Sequence, residues 1–577
     1  MKMIYRMFRK TVLAATLAIG VLTSSCTDYL TILPADSVVE ENFWQTKDQV
    51  YGMLATSYLK LLSNDAVTKA IVWGEMRADN MTIKPNTGGD IKDLVEFNLI
   101  DENSYCNWGV FYEAISNANL VLESADQVVE RDPDFSEADL SVVKGEMYAM
   151  RALCHFYLVR SFRDIPLAMH SAKNDSEIPD YVQVHPLVAL DAIMDDLNRA
   201  ENMVRKSNVA DAQNLGRISR NAVLAIKADV NLWRAAFATY YEGVSEYAKA
   251  GDAERYYEEC LQDCRKLMAN MDAALEELDD KTLGRPVERL AYNLIPNTGK
   301  ADELTDGHKS TAYDEIFGDK KNSLESIFEL QVQGNNITNG AFRGTYNMYG
   351  TNGNPGVAVV AKKFIDDTDN YQSDDLRLYS NTNYTGADLA SGKSYCITKY
   401  ASKQSPAGTS WRESDKWDAN WIVYRRTDVM LMQAEALVAR EGATQADFDE
   451  AYSIVRAINV RSKIDSTKMI NEVQPSEFSV SSREAAWERI RKERLLELAF
   501  EGKRWYDLVR KALIAKTPDC IHFVADKLEG STAGVAKIKM SSIDALFLPI
   551  YIDELRYNKN LKQNPAFDNK NSTSEMN

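Results

Sequence analysis

The chain has 577 residues, with 85 acidic against 67 basic side chains and a formal net charge of −18. Such an acidic balance argues against nucleic acid as a partner, because phosphate contacts need Lys and Arg. It leaves neutral ligands open, while the length suggests two or more domains and the 45% hydrophobic content suffices for a large core.

The first residues set the compartment. Lys2, Arg6, Arg9 and Lys10 form a basic start, an apolar stretch runs over 12–22, and the small residues Thr23, Ser24 and Ser25 precede Cys26. Basic, apolar, small and cut is the order of a secretory signal, and the apolar part is too short for a bilayer-spanning helix. A cysteine at the cut resembles a bacterial lipobox, which makes Cys26 the expected lipidation site, although Thr23 stands where Leu is usual. An ordinary signal cut nearby would leave Cys26 incidental. Loss of the four basic residues takes the formal charge to −22. No later stretch reads as a transmembrane helix.

Beyond a short extended leader over 26–36, helical periodicity dominates. NFWQTKDQVYGMLATSYLKLL, from Asn42, places Phe43, Val50, Leu54, Tyr58 and Leu61 near one stripe. The following stretch, IVWGEMRADNMTIKPNTGGDIKDL, breaks the period and carries Pro85, Gly88 and Gly89, so it reads as a loop. Helices are then predicted over 108–125, 142–162, 187–206, 219–240 and 252–268. From about 284 to 420 Gly, Asn, Thr and aromatics become frequent, and ESIFELQVQ over 325–333 looks like a strand. Helices resume over 424–441, 448–464 and 482–511. Small residues at close-approach positions (Ala149, Ala152; Ala225, Ala228; Ala434, Ala436) hint at tetratricopeptide-like stacking, and by themselves support an α-solenoid or bundle.

Six further cysteines are too sparse for a disulfide framework. Cys260 and Cys264 lie four apart on a predicted helix, but without partners at ligand spacing they read as buried thiols, and no metal is expected. No nucleophile elbow, zinc-protease helix, P-loop or dinucleotide fingerprint stands in a fitting context. Glu325 and Glu329 would share one face of a strand, which does not set two carboxylates across a sugar bond. No catalytic residue and no cofactor are assigned.

Five segments carry a family resemblance: WGEMRADN from Trp73, GEMYAMRALCHFYLVRSFRDIPL from Gly145, YRRTDVMLMQAEALV from Tyr424, IRKERLLELAFEGKRWYDLVR from Ile490, and LPIYIDELRYNKNLKQNPAF from Leu548. In that order, after a lipobox, they resemble the SusD/RagB family of outer-membrane nutrient-binding lipoproteins nearly end to end. In the last motif, Tyr551 and Lys559 stand where the family pattern has prolines. The resemblance implies a mostly α fold, a tetratricopeptide-like α-α superhelix of about four helix pairs bearing a loop-rich variable subdomain with short strands. It divides the chain into a lipoprotein signal peptide over 1–25, a helical scaffold over 26–283, the variable subdomain over 284–420 and a C-terminal helical region over 421–577. It implies a cell-surface protein, anchored through Cys26 in the outer membrane, that binds an oligosaccharide or polysaccharide and passes it to a SusC-like TonB-dependent transporter. A peptide-binding member of the family and a non-catalytic protein-docking scaffold are the alternatives.

In the motif from Ile490, the apolar residues Leu495, Leu498, Ala499, Trp505, Leu508 and Val509 form a broad face, and opposite charges recur three or four apart. These charges, with Arg151 and Arg425, are expected to form buried ion pairs. Gly502 is expected to permit a turn or a close approach, and Trp108 and Trp505 to lie in the core. Sugar rings stack their C–H faces on aromatics while their hydroxyls need planar polar partners. The loops that offer this mixture make Arg343, Tyr346, Tyr349, Tyr384, Trp411 and Trp417 the candidate ligand residues. Asn80 and Asn86 join them because family members often use the early loop.

Overall fold

The computed structural model describes residues 43–171, 181–207, 215–282, 289–297, 311–318, 322–332, 340–346, 356–367, 369–382, 396–405, 408–411, 418–465, 469 and 472–568. Eight helices build the frame: α1 (Lys47–Leu62), α2 (Gly109–Ser124), α3 (Glu137–Phe162), α4 (Pro186–Met203), α5 (Arg220–Tyr241), α6 (Asp252–Thr282), α7 (Arg426–Ala439) and α8 (Gln445–Arg461). Each packs on the next in chain order, which is the tetratricopeptide-like stack of four pairs. Two more, α9 (Arg483–Leu498) and α10 (Arg504–Ala515), pack against α7 and α5 respectively. Among the described residues no helix is long and apolar enough to cross a membrane.

Local chemistry sets most helix starts. Ser136 and Asp139 form a reciprocal capping box that begins α3 ahead of the expected position 142. Pro186 opens α4, where its missing N–H costs nothing. α6 runs to Thr282, well past the expected 268, because Leu267, Met271 and Leu275 continue one buried stripe. Cys260 and Cys264 are buried on the same helix, as expected of structural thiols.

The strands are short and antiparallel: β1 (Met81–Ile83) with β5 (Ala358–Val360), β2 (Ile165–Pro166) with β3 (Gln183–Val184), β4 (Ser326–Leu330) with β8 (Trp421–Arg425), and β6 (Ser402–Ser405) with β7 (Gly408–Trp411). β4 falls within the predicted strand. β8 takes Tyr424 and Arg425 away from the helix expected to begin at 424: the run Trp-Ile-Val-Tyr favours a strand buried on both faces, and Arg425 is extended.

Two further expectations are corrected. The stretch read as a loop after α1 is largely buried structure: a π-helical turn over Val72–Met76, β1, and a helix over Asp90–Val95, preceded by a helix over Asn64–Ile71 that is absent from the predicted elements. The single helix expected over 482–511 is two helices, broken where Phe500 (φ 67°) and Gly502 (φ 70°) take left-handed backbone conformations. The two corrections meet at one point. A Cβ on Gly74 would lie 1.8 Å from the Gly502 carbonyl oxygen, so the π turn and the helix break touch backbone to backbone. Neither side can yield, because both neighbours are main chain. Gly74→Ala is therefore expected to destabilise the protein by about 1–3 kcal/mol or more, read as a lowered urea midpoint with unchanged slope.

Candidate functional site

The charges of the motif from Ile490 point inward. Glu497 on α9 is fully buried and accepts from Arg425 (2.7 Å), Arg461 (2.6 Å), the Tyr313 hydroxyl (2.6 Å) and Arg377 (3.3 Å). Burial alone would push its carboxyl up. The guanidiniums of Arg461, Arg425 and Arg377 more than reverse that and hold it well below the usual carboxylate range. Arg377 also grips Asp375 through two bonds (3.0 and 2.8 Å) and Glu493 (2.6 Å), while Arg461 reaches Glu325 (2.7 Å). Arg425 continues to Glu501 (2.9 and 2.8 Å), which also accepts from Lys399 (2.6 Å). Lys399 is pushed down to about 8 by burial, with Glu501 opposing, and donates to the carbonyls of Glu497 and Ala499 as well. Arg151 sits bidentate on Asp196, both bonds 2.7 Å. Trp108 and Trp505 are in the core. The network is structural, as expected, and it clamps segments of the loop-rich region (Glu325, Arg377, Lys399) to α8 and α9.

A second hub lies at the helix break. Glu75, in the π turn, accepts from the main-chain N–H groups of Phe500 (2.8 Å), Lys503 (2.9 Å) and Arg504 (3.3 Å), so its carboxylate caps α10 from outside the helix. Arg504 in turn holds Asp79 through two bonds (2.8 and 2.9 Å). Two candidate ligand residues belong here instead of on a surface. Asn80, fully buried, donates to Glu75 at 2.5 Å. Tyr346, equally buried, donates its hydroxyl to the Phe500 carbonyl (2.8 Å) and stacks with Phe342 and Tyr400 at 5.7 and 6.3 Å between ring centres. Tyr346 satisfies a carbonyl at the helix break and Asn80 the carboxylate that caps α10, and their full burial removes both from the ligand set.

Asn86 and Arg343 are exposed, as a ligand contact requires. The structure brings their segments together. β1 pairs with β5, Lys84 N–H donates to the Val357 carbonyl (2.8 Å), and Val357 N–H donates to the Thr345 carbonyl (3.0 Å). The early loop and the start of the aromatic-rich loop thus flank one ladder. For Trp411 only the backbone is described, paired with Ser402 in the β6–β7 ladder. Tyr349, Tyr384, Trp417 and Cys26 lie outside the described residues. A cavity of about 870 Å³ that sequence reasoning missed lies between the end of α3, β3 and the C-terminal tail. The one signal available for it was the departure of Lys559 from the tail's proline pattern.

Comparison with known proteins agrees with this architecture. A family model described as the SusD family matches residues 339–567, and one described as starch-binding associating with outer membrane matches 28–232. The chain belongs to the SusD family. It is 25% identical over 508 residues to SusD-like protein P38 of Formosa agariphila, covering 86% of this chain and 89% of that one. SusD-like protein P2 of the same organism is 24% identical over 493 residues, covering 83% and 86%. Among solved structures, a SusD homolog from Bacteroides thetaiotaomicron aligns with a TM-score of 0.63 at 19% identity, covering 91% of this chain and all of that one. A laminarin-binding SusD-like protein aligns with a TM-score of 0.59 at 20% identity, covering 90% of this chain and 100% of its own. At these identities the solved structures speak for the SusD fold, here closed by the Glu497 and Glu75 hubs.

The folded state keeps Glu497 ionised more firmly than the unfolded chain does, so its stabilisation is complete above the unfolded-chain value of about 4.3 and drains away as pH falls toward the lower folded value. Glu497→Gln is expected to cost about 3–5 kcal/mol near neutral pH by taking from three buried guanidiniums the charge they share. Urea unfolding between pH 3 and pH 7 should show the acid-side slope of the wild type flattened in the variant.

Proposed function

We propose that the protein is a non-catalytic glycan-binding lipoprotein of the cell surface, anchored through Cys26, that passes an oligosaccharide to a TonB-dependent barrel transporter of the SusC type. The observation that carries the reading is the β1–β5 ladder on a SusD frame: it sets the early loop with exposed Asn86 beside the helix Gly340–Thr345 with exposed Arg343, while Trp411 stands on β7 and Tyr349, Tyr384 and Trp417 lie outside the described residues. Planar polar groups beside aromatics are what a sugar needs. The starch-binding description of the family model and the laminarin-binding relative support a glycan over a peptide. The outer-membrane wording of that model supports the location.

The non-catalytic part rests on where the acidic groups are spent. Glu325 accepts from Arg461 and the Ile295 N–H (2.9 Å), and Glu329 accepts from Asn420 (2.7 Å) and Ser326, both carboxylates being buried. Neither is available to a sugar bond.

Trp411→Ala combined with Trp417→Ala is expected to weaken glycan binding by tenfold or more with a nearly unchanged melting temperature, read by calorimetric titration against oligosaccharides chosen from a glycan array. Asn86→Ala and Arg343→Ala should each weaken it less. The buried pair Asn80→Ala and Tyr346→Phe should do the reverse, lowering the melting temperature by several degrees while leaving the affinity alone. Wild-type affinity in the double tryptophan variant would remove that loop from the site.

A further inference from the structure

The tail over 548–567 does more than close the frame. With the end of α3 and β3 it encloses the cavity of about 870 Å³, a volume within the range of ligand sites. Its lining shares no residue with 284–420, so it is separate from the loops proposed above. Val184, Ile550, Ile552, Leu555 and Leu561 supply apolar wall. His185, also in the lining, lies between the rings of Tyr241 (4.4 Å) and Tyr247 (4.7 Å), and Tyr247 is half exposed. Tyr557, the last residue of the helix Ile552–Tyr557, is 87% exposed next to lining residue Arg556 but is not itself in the lining. The apolar wall suits the C–H face of a sugar.

Four cations line the same space, together with the carboxylates of Asp101, Asp164 and Asp568. Arg163 is engaged by Asp164 and Asp544, and Arg556 by Asp553. Lys559 and Lys562 are exposed, and among the described residues neither is paired with a carboxylate; the Lys559 ammonium donates only to the Leu555 carbonyl (3.1 Å). The turn that carries them is held rigidly. Asn558 donates to the Tyr181 carbonyl (2.7 Å), Lys562 N–H donates to Gln183 (2.8 Å), the Gln563 amide exchanges two bonds with the Ile550 backbone (2.8 and 2.9 Å), and Asn564 donates to the Asp544 carbonyl (3.0 Å). Two unpaired ammonium groups are thus pre-positioned at one apolar cavity. The chain around them carries −18, so its general field repels anions and any attraction is local to this turn.

We propose that this cavity is a second saccharide site and that it takes oligosaccharides bearing carboxylates, that is, uronic-acid units. The ring face packs on the apolar wall, and the carboxylates meet Lys559 and Lys562. A free inorganic anion would satisfy the lysines but not the wall; a neutral sugar would satisfy the wall but not the lysines. The proposal rests on the glycan-binding reading above while using different residues.

The test is calorimetric titration of the purified full-length protein with tetrasaccharides of galacturonate and of alginate uronates, alongside laminaritetraose and maltotetraose as neutral probes, at low and physiological salt. At least one uronate series is expected to bind, more weakly as salt rises. Lys559→Pro combined with Lys562→Gln should lower that affinity tenfold or more and flatten its salt dependence, with neutral-glycan affinity and melting temperature unchanged. Lys562→Gln alone, which alters no backbone, should give a smaller loss in the same direction and guards against a folding effect of the proline. Binding of neutral glycans with none of the uronates, wild-type uronate affinity in both variants, or an equal fall for neutral and acidic sugars would each overturn the second site while leaving the first. Failure of every probe and of the glycan array would overturn the glycan-binding reading itself.

Discussion

Glu497 is a carboxylate placed where water does not reach, and the fold is organised around keeping it charged. Three guanidiniums and a phenol supply what the solvent would have supplied, and they come from four separated parts of the chain: Tyr313, Arg377, Arg425 and Arg461. A buried charge without its partners is far costlier than a missing apolar contact. Each of these segments is therefore held to α9 by an interaction that tolerates little displacement. That is how a region poor in regular structure stays attached to a helical stack. The loops beyond can vary in sequence and shape because their roots are pinned by charge, not by loop packing.

The Glu75 hub does the complementary job on the opposite end of the break. It converts what would be a defect, a helix interrupted by two left-handed residues, into a junction where four N–H donors share one carboxylate. The aromatic stack of Phe342, Tyr346 and Tyr400 then covers it, with Phe342 and Tyr400 centred 4.4 Å apart. Together the two hubs commit the buried carboxylates of Glu75, Glu497 and Glu501 to holding the frame together.

Much of this was legible in the residues. The helices over Lys47–Leu62, Gly109–Ser124 and Glu137–Phe162 announce themselves by apolar spacing and end near their stop signals. The inward role of the charges around Glu497 was expected from the family resemblance, since a signature shared by binders of unlike ligands should encode the scaffold. What could not be read was anything decided by a distant partner. The break after Leu498 depends on Glu75, some 425 residues earlier, and the burial of β1's approach depends on the same contact. The burial of Asn80 and Tyr346 was not readable for one reason: a polar or aromatic side chain in a loop looks the same whether it faces solvent or a buried acceptor, here the Glu75 carboxylate and the Phe500 carbonyl. Asn86 and Arg343, with no such neighbour, are exposed as expected.

The cap that Glu75 places on α10 also orders events in time. A helix start whose stabilising carboxylate comes from near the other end of the chain cannot be completed on its own, and a contact of that span is late and slow to form. In a chain made N-terminus first, Glu75 exists long before Phe500, Lys503 and Arg504 do, so the closing step waits for them, and a prematurely terminated chain is left with an unfilled acceptor at its centre.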